Sequence, residues 1–477
     1  MGLAMAVKRT GFRYASEWGA GTVQACLGVT AVEPYHRRMT GGTKTRRGVM
    51  RLLHGAAFAP LLTACGVEGG STQAPAALVS GEMAPEVEIY HQHSAAFMDG
   101  LLESYHQEQS RVRARGVVVS GGYEGLLEKI QLLASAGTPP AVAQAGFTYT
   151  RFMAKRIPMR PVADFIAAER FSTSDIWPSM LKLGQDLSGK QWGLPFAVST
   201  PIFYYNANLL ERAGLDPNKA ARTWEELRAH AQKLTQGEQK GVAFNYTITG
   251  NWTFQAMVEC AGGRMCSPDG LKVMFNEPPG VRALTYWTDL VIRDGVTVPT
   301  LYSGAATAFY TAKLAYINTT TASLDGIRTS VQFPKEQLRT TLFPTDGTKP
   351  RRVPAGGNNI FVLGSTPPLQ RAGWDLVKFL VSPVGTSKMS QTSGYMAVRK
   401  STLDKPEQMG TYLKENPIAR TTYDQVNDMV GWHEWETSDA VQVRTIILKA
   451  QESALKGEQT PGRALDDAAA QVTPLLG

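Results

Sequence analysis

Two histidines, His91 and His93, close a short alternating segment, where a strand would turn both imidazoles to one face. A metal site needs at least a third ligand. None is evident nearby, so both read as surface or loop histidines. His433 stands beside Glu434 and Glu436 and has the makings of an acid–base group. No serine elbow, zincin helix or Walker loop accompanies it. No glycine-rich phosphate loop or other cofactor motif appears, so catalysis has no positive support. Cys260 and Cys266 are spaced either for a small-loop disulfide or for two separate thiols. Spacing alone does not set the geometry, and both readings stand. Trp252, Trp432 and Trp435 lie in loop-like contexts. Tryptophan faces can pack on the C–H faces of a sugar ring, although a core is their more common place.

The chain that must position these groups has 477 residues, 43% hydrophobic and 19% charged, enough apolar content for a normal core. Its net charge of +8 is concentrated at one end. Residues 1–64 carry nine Lys/Arg against two acids, so the remaining chain is nearly neutral and gives no argument for nucleic acid. Lys44, Arg46, Arg47 and Arg51 form a basic n-region, and Leu52 to Ala64 a short apolar stretch. The stretch ends at Leu62-Thr63-Ala64-Cys65, which resembles a bacterial lipobox with Cys65 as the acylated residue. Arg46-Arg47 also resembles a twin-arginine export motif. Residues 1–64 thus read as leader, with 1–38 an extension upstream of a start at Met39. Residues 65–85, rich in Gly, Ser, Thr, Ala and Pro, read as a flexible tether. No apolar run reaches the roughly 18 residues of a spanning helix.

Beyond the tether, short strands alternate with amphipathic helices. Val87–Tyr90, Val117–Val119 and Ala141–Gln144 read as strands, and 94–108 and 124–134 as helices, the second closed by Gly137. A second set follows Leu194-Pro195. Ile202–Tyr205 is a strand, 207–213 a helix, and Thr223-Trp224-Glu225-Glu226 a capping box opening another. Ile360–Leu363 and 370–380 add a strand and a helix, and from about Lys405 the chain reads mostly helical. The alternation predicts an α/β fold with mainly parallel sheet and helices on both faces.

The ordered segments resemble the extracellular solute-binding proteins of bacterial ABC importers. The likeness runs through Ala136–Val142, Gly193–Phe196, Tyr204-Tyr205-Asn206, Ala213–Pro217, Thr223–Leu227, Trp374–Phe379 and Ser393-Gly394-Tyr395. It covers about residues 86–475. Ser199–Asn206, Gly356-Gly357, Tyr395 and Gln442-Val443-Arg444 are similar to the glycerol-3-phosphate-binding type. The resemblance implies a type II two-lobed fold with a ligand cleft between discontinuous lobes. These are expected at 86–198 plus 355–398 and at 199–352 plus 403–477. It also implies a lipid-anchored, extracytoplasmic monomer that hands its ligand to permease subunits and is not an enzyme.

The same resemblance supplies the candidate ligand-binding residues. Tyr123 matches a first-lobe tyrosine, Ser199 a hydroxyl at the first crossing, Thr320 a serine position and Gly357 a glycine at the second crossing. Tyr395 and Arg444 complete the pattern, and Trp252 falls near a family aromatic. Arginine's planar donor fork suits a phosphate or another anion. The family's polyol-gripping acid aligns with Phe147, which cannot accept hydrogen bonds from hydroxyls. A neighbour such as Thr148 or Tyr149 substitutes for it, or the ligand differs there. A glycerophosphodiester or a sugar therefore becomes more plausible than unmodified glycerol 3-phosphate.

Overall fold

The structure, a computed structural model, describes residues 78–246, 251–297 and 302–476. The leader, Cys65 and most of the tether lie outside the described residues. Eleven strands are described: β1 Glu86–His91, β2 Arg113–Val118, β3 Val142–Gly146, β4 Leu194–Ser199, β5 Pro201–Asn206, β6 Lys240–Ala243, β7 Leu314–Thr320, β8 Leu338–Leu342, β9 Val353–Pro354, β10 Gly356–Val362 and β11 Met429–Val430. They form two main sheets, in the orders β2-β1-β3-β10-β4 and β6-β7-β5-β8, one for each lobe. β9 and β11 form a small parallel pair.

The sheets are mixed rather than mainly parallel, which corrects the reading above, and the cause is the crossing of the chain. β4 runs toward the cleft and passes through Thr200 directly into β5 of the other sheet. β5 therefore enters from the cleft end and lies antiparallel to β7 and β8. β10 enters the first sheet in the same way and is antiparallel to β3 and β4. In each sheet the reversed strand is the one arriving from the other lobe.

Local sequence explains the flanking helices. Ser94 caps Ala95–Glu108, its hydroxyl accepting from the Phe97 N–H. Thr223 and Glu226 close the reciprocal capping box that opens Trp224–Leu234. In Ala440–Leu455 the buried residues Val443, Ile447, Ala450 and Ala454 recur every three to four positions and form the core face. Arg444 and Gln451, two turns apart, share the adjoining buried stripe. That register carries an arginine inward. Each lobe has its own aromatic core, anchored by Phe165 stacked on Trp374 in the first and Trp224 stacked on Tyr286 in the second.

Candidate ligand-binding cleft

Where the strands end and the chain crosses, the side chains converge. Gly356 lies opposite Ser199 across the β10–β4 ladder. A Cβ on Gly356 would sit 2.8 Å from the Ser199 hydroxyl and 3.0 Å from the Trp252 ring, so the missing side chain is the space those two groups occupy. Trp252 opens the helix Trp252–Cys260, is buried, and tilts against Trp432 with ring centroids 6.4 Å apart. Gly357 follows at φ +112, and the Phe147 ring lies 3.4 Å from where its Cβ would be.

Asn358 comes next and donates to the Tyr123 hydroxyl at 3.1 Å. The Tyr123 and Tyr395 hydroxyls meet, and burial pushes the Tyr123 phenol well up. Tyr395 follows the left-handed Gly394, which closes the helix Pro383–Ser393. Its ring meets His93 edge-on at 5.7 Å. Thr320 ends β7 opposite Pro201. Its hydroxyl accepts from Ala322 N–H, and its carbonyl accepts from the Tyr204 hydroxyl. The next residue, Thr321, presents its carbonyl to Gly394, which places Thr320 close to Tyr395.

Arg444 reaches across from the second lobe. It donates to Glu124 Oε1 at 3.1 Å, to the Tyr149 hydroxyl at 2.9 Å and to the Thr148 hydroxyl at 3.2 Å, all on the first lobe. Its guanidinium also lies over the Tyr149 ring, 5.3 Å from the centroid. Burial pushes the Tyr149 phenol up to about 12, so at neutral pH its hydroxyl keeps a proton and donates to Glu124 at 2.9 Å.

Of the seven residues singled out from the sequence, Tyr123 and Tyr395 meet directly, and Ser199 and Trp252 both border Gly356 next to Gly357, while Thr320 ends β7 opposite Pro201 and Arg444 meets the first lobe at Glu124, Thr148 and Tyr149. Beside this group, a cavity of about 830 Å³ is lined by Phe147, Arg151, Gln255, Trp432, His433 and Glu434, among others, and by none of the seven. Phe147 and Trp432 line it and also touch the group, at Gly357 and Trp252 respectively. Two groups went unread in the sequence. Asn358 gave no sign beyond following the glycine pair. Glu124 is the neighbour of Tyr123, but its partner lies 320 residues away.

One sequence reading changes, and two left open are decided. His91 is buried at the end of β1, and His93 is partly buried among Phe97, Phe196 and Tyr395. Neither is a surface histidine, although His93 does lie in the loop that follows β1. Cys260 and Cys266 are free buried thiols, directed to the carbonyls of Arg352 and Glu434 respectively, so there is no disulfide between them. Of the tryptophans, Trp432 lines the neighbouring cavity and tilts on Trp252, while Trp435 packs on Phe275 in the second core.

His433 is buried, and its Nδ1 lies 3.0 Å from Gln255 Oε1. Burial, with Arg444 nearby, pushes its pKa down to about 3. The unfolded chain therefore binds more protons than the folded one between about pH 3 and 6.5, and stability is lost as pH falls through that window. From pH 7.5 to pH 5 this group withdraws about 2 kcal/mol. Chemical denaturation of His433→Gln should show an acid-induced loss smaller than the wild type's by about that amount. Parallel curves for the two proteins would refute the assignment.

The family model described as bacterial extracellular solute-binding protein matches residues 104–421. The chain belongs to that family. This solute-binding protein is accordingly the substrate-binding component of an ABC importer, working outside the cytoplasm. It is 24% identical over 398 residues to the sn-glycerol-3-phosphate-binding periplasmic protein UgpB of Pectobacterium atrosepticum, covering 80% of this chain and 88% of the relative. With UgpB of Escherichia coli K12 it shares 25% identity over 374 residues, covering 75% and 84%. Among solved structures it is similar to UgpB from Mycobacterium tuberculosis in complex with glycerophosphocholine, with TM-score 0.72, 21% identity and 83% and 98% coverage. It is likewise similar to the cyclic alpha-maltosyl-1,6-maltose binding protein of Arthrobacter globiformis, with TM-score 0.70, 23% identity and 83% and 99% coverage. At these identities the structural likeness is one of fold. Among the described residues no helix is long and apolar enough to cross a membrane.

Proposed function

We propose that this solute-binding protein captures a glycerol phosphoester, preferentially a phosphodiester, between its lobes and delivers it unchanged to permease subunits. One lobe is drawn from 86–198 and 355–398, the other from 199–352 and 403–477. Acylated Cys65 holds the protein at the membrane through the tether. The observation that carries the reading is Arg444. It projects from the second lobe onto Thr148 and Tyr149 of the first, so a phosphate oxygen accepting from its fork would be held between the two lobes. Contacts made to both lobes favour the closed state by the difference in affinity between the two states. The glycerol-3-phosphate-binding relatives support the ligand class. The hydroxyls of Ser199, Thr320, Tyr123 and Tyr395 suit the glycerol moiety.

A second reading, a neutral mono- or oligosaccharide, draws on the Trp252–Trp432 pair, whose indole N–H groups are both buried without a partner. Titration calorimetry with glycerophosphocholine, sn-glycerol 3-phosphate and maltose separates the two. For the phosphoester reading, Arg444→Ala weakens glycerophosphocholine binding by about a hundredfold, the cost of truncating one partner of a buried charged contact. Binding of maltose alone, indifferent to Arg444→Ala, would move the assignment to sugars. Chemically altered ligand after prolonged incubation would overturn the non-enzymatic reading.

A further inference from the structure

We infer that Glu124 sets the charge of the ligand: by neutralising Arg444 inside the cleft, it admits neutral or singly charged ligands and disfavours doubly charged phosphate monoesters. The inference rests on the cleft reading above and narrows its ligand class.

The argument begins with what Arg444 faces. Its side chain is only 9% exposed, and its ion-pair partner among the described residues is Glu124. The carboxylate is held in place from two sides. One Nη of Arg444 donates to Oε1 directly, and the same Nη donates to the Tyr149 hydroxyl, which in turn donates to Oε1. The three groups form a closed triangle, buried at its Arg444 end and partly open to solvent at the Glu124 carboxylate, which is 34% exposed. Glu124 sits in the first turn of the helix Gly122–Ser135, immediately after Tyr123, so it belongs to the first lobe and moves with it. Lobe closure therefore delivers the counter-charge to Arg444 along with the first-lobe tyrosine.

A ligand phosphate that approaches Arg444 meets an arginine already compensated and a carboxylate close by. With Arg444 and Glu124 cancelling, a dianion gains no net attraction to offset the loss of its hydration, a monoanion has less hydration to lose, and a neutral hydroxylated ligand has least. The other buried arginine of the interface, Arg151, is likewise matched, to Glu434. It offers no spare charge for a second phosphate oxygen. Phe147, at the end of β3, adds bulk and no charge.

The isosteric change Glu124→Gln tests this, because the amide oxygen still accepts from Arg444 and Tyr149 while the charge is gone. Calorimetry at pH 7.5 compares wild type and variant with sn-glycerol 3-phosphate (mostly dianionic), glycerophosphocholine (one phosphate charge) and maltose (neutral). The expected result is a gain of tenfold or more for the monoester, a smaller gain for the diester and a change within twofold for maltose. Glu124→Ala should rank the ligands in the same order. Equal changes for all three ligands would make Glu124 a merely structural residue and overturn the inference, leaving capture of a phosphoester or sugar intact. A preference for the monoester already in the wild type would overturn it as well. If neither protein binds any ligand, while Arg444→Ala leaves the heats equally flat, the capture reading fails and takes the inference with it.

Discussion

Gly357→Ala should cost the folded protein about 2–6 kcal/mol and abolish high-affinity ligand binding. Two penalties add. At φ +112 an L side chain is strained, at about 1–3 kcal/mol. The new Cβ would also sit well inside contact distance of the Ala197 carbonyl oxygen on the paired strand β4. Relieving such an overlap in a packed region costs a further 1–3 kcal/mol or so. Neither strand can easily give way, because β10 is flanked by β3 and β4, and its register with β4 already shifts between Asn358 and Asn359. Any displacement of β10 carries Asn358 away from Tyr123 and spreads Gly356 from Ser199. Urea denaturation read by tryptophan fluorescence measures the loss. A midpoint unchanged within error, with wild-type affinity, would show that the backbone there is not constrained as described.

Arg151→Met should be comparably destabilising, by about 3–5 kcal/mol at pH 8, because it strands a buried carboxylate. Arg151 lies on the first-lobe helix Thr150–Arg156. Its Nε donates to Glu434 Oε2 at 2.8 Å, and its Nη groups donate to the carbonyls of Glu434 and Pro268 at 3.0 Å. Glu434 Oε1 also accepts from the backbone N–H groups of Arg151 and Phe152, so one carboxylate both pairs with the arginine and caps the helix. One turn on, Lys155 pairs with Glu436. The strip 431–436 packs on the second lobe through Gln255 and Gly270, so these pairs are a clasp between lobes.

Burial pushes Glu434 up to about 7 even with Arg151 and two N–H groups pulling it down. A raised carboxylate binds more protons folded than unfolded between about pH 4.5 and 7. Its contribution to stability therefore falls as pH rises through that window. Removing Arg151 raises the carboxylate further and extends the window upward. The variant should accordingly lose markedly less at pH 5, where Glu434 is protonated, than at pH 8. Glu434→Gln in the Arg151→Met background should recover part of the loss at pH 8. Equal losses at both pH values would mean that the destabilisation comes from lost packing rather than from a stranded charge.

How far such features could be read in advance differs by element. The Thr223–Glu226 capping box and the Ser94 cap are local, and their partners lie three residues away, so the residues alone specify them. β2 was placed late, at 117–119, because its first half presents Arg113 and Arg115 outward on a sheet edge and shows no apolar run. β7 ends in the polar residues Asn318, Thr319 and Thr320 and shows no apolar alternation there. Its Asn318 and Thr319 are buried, and the Asn318 amide is satisfied by Ile202 O, a partner on another strand. Polar residues at a cleft break the usual apolar signature of a central strand, and the cleft is where the strand endings had to be found.

Hydropathy, caps and turn residues, acting over a few positions, specify an α/β chain and part of the succession of its elements, and the resemblance of its ordered segments gives the family. The partners of charges and thiols were not. Arg444 finds Glu124 across 320 residues, Arg151 finds Glu434 across 283, and Cys260 and Cys266, six positions apart, turn to different carbonyls. A local pattern is settled by the backbone conformation of adjacent residues, whereas a long-range pair depends on where the chain crosses from one lobe to the other. Only the folded arrangement brings those distant segments within a few ångströms, and with them the charge balance on which ligand choice turns.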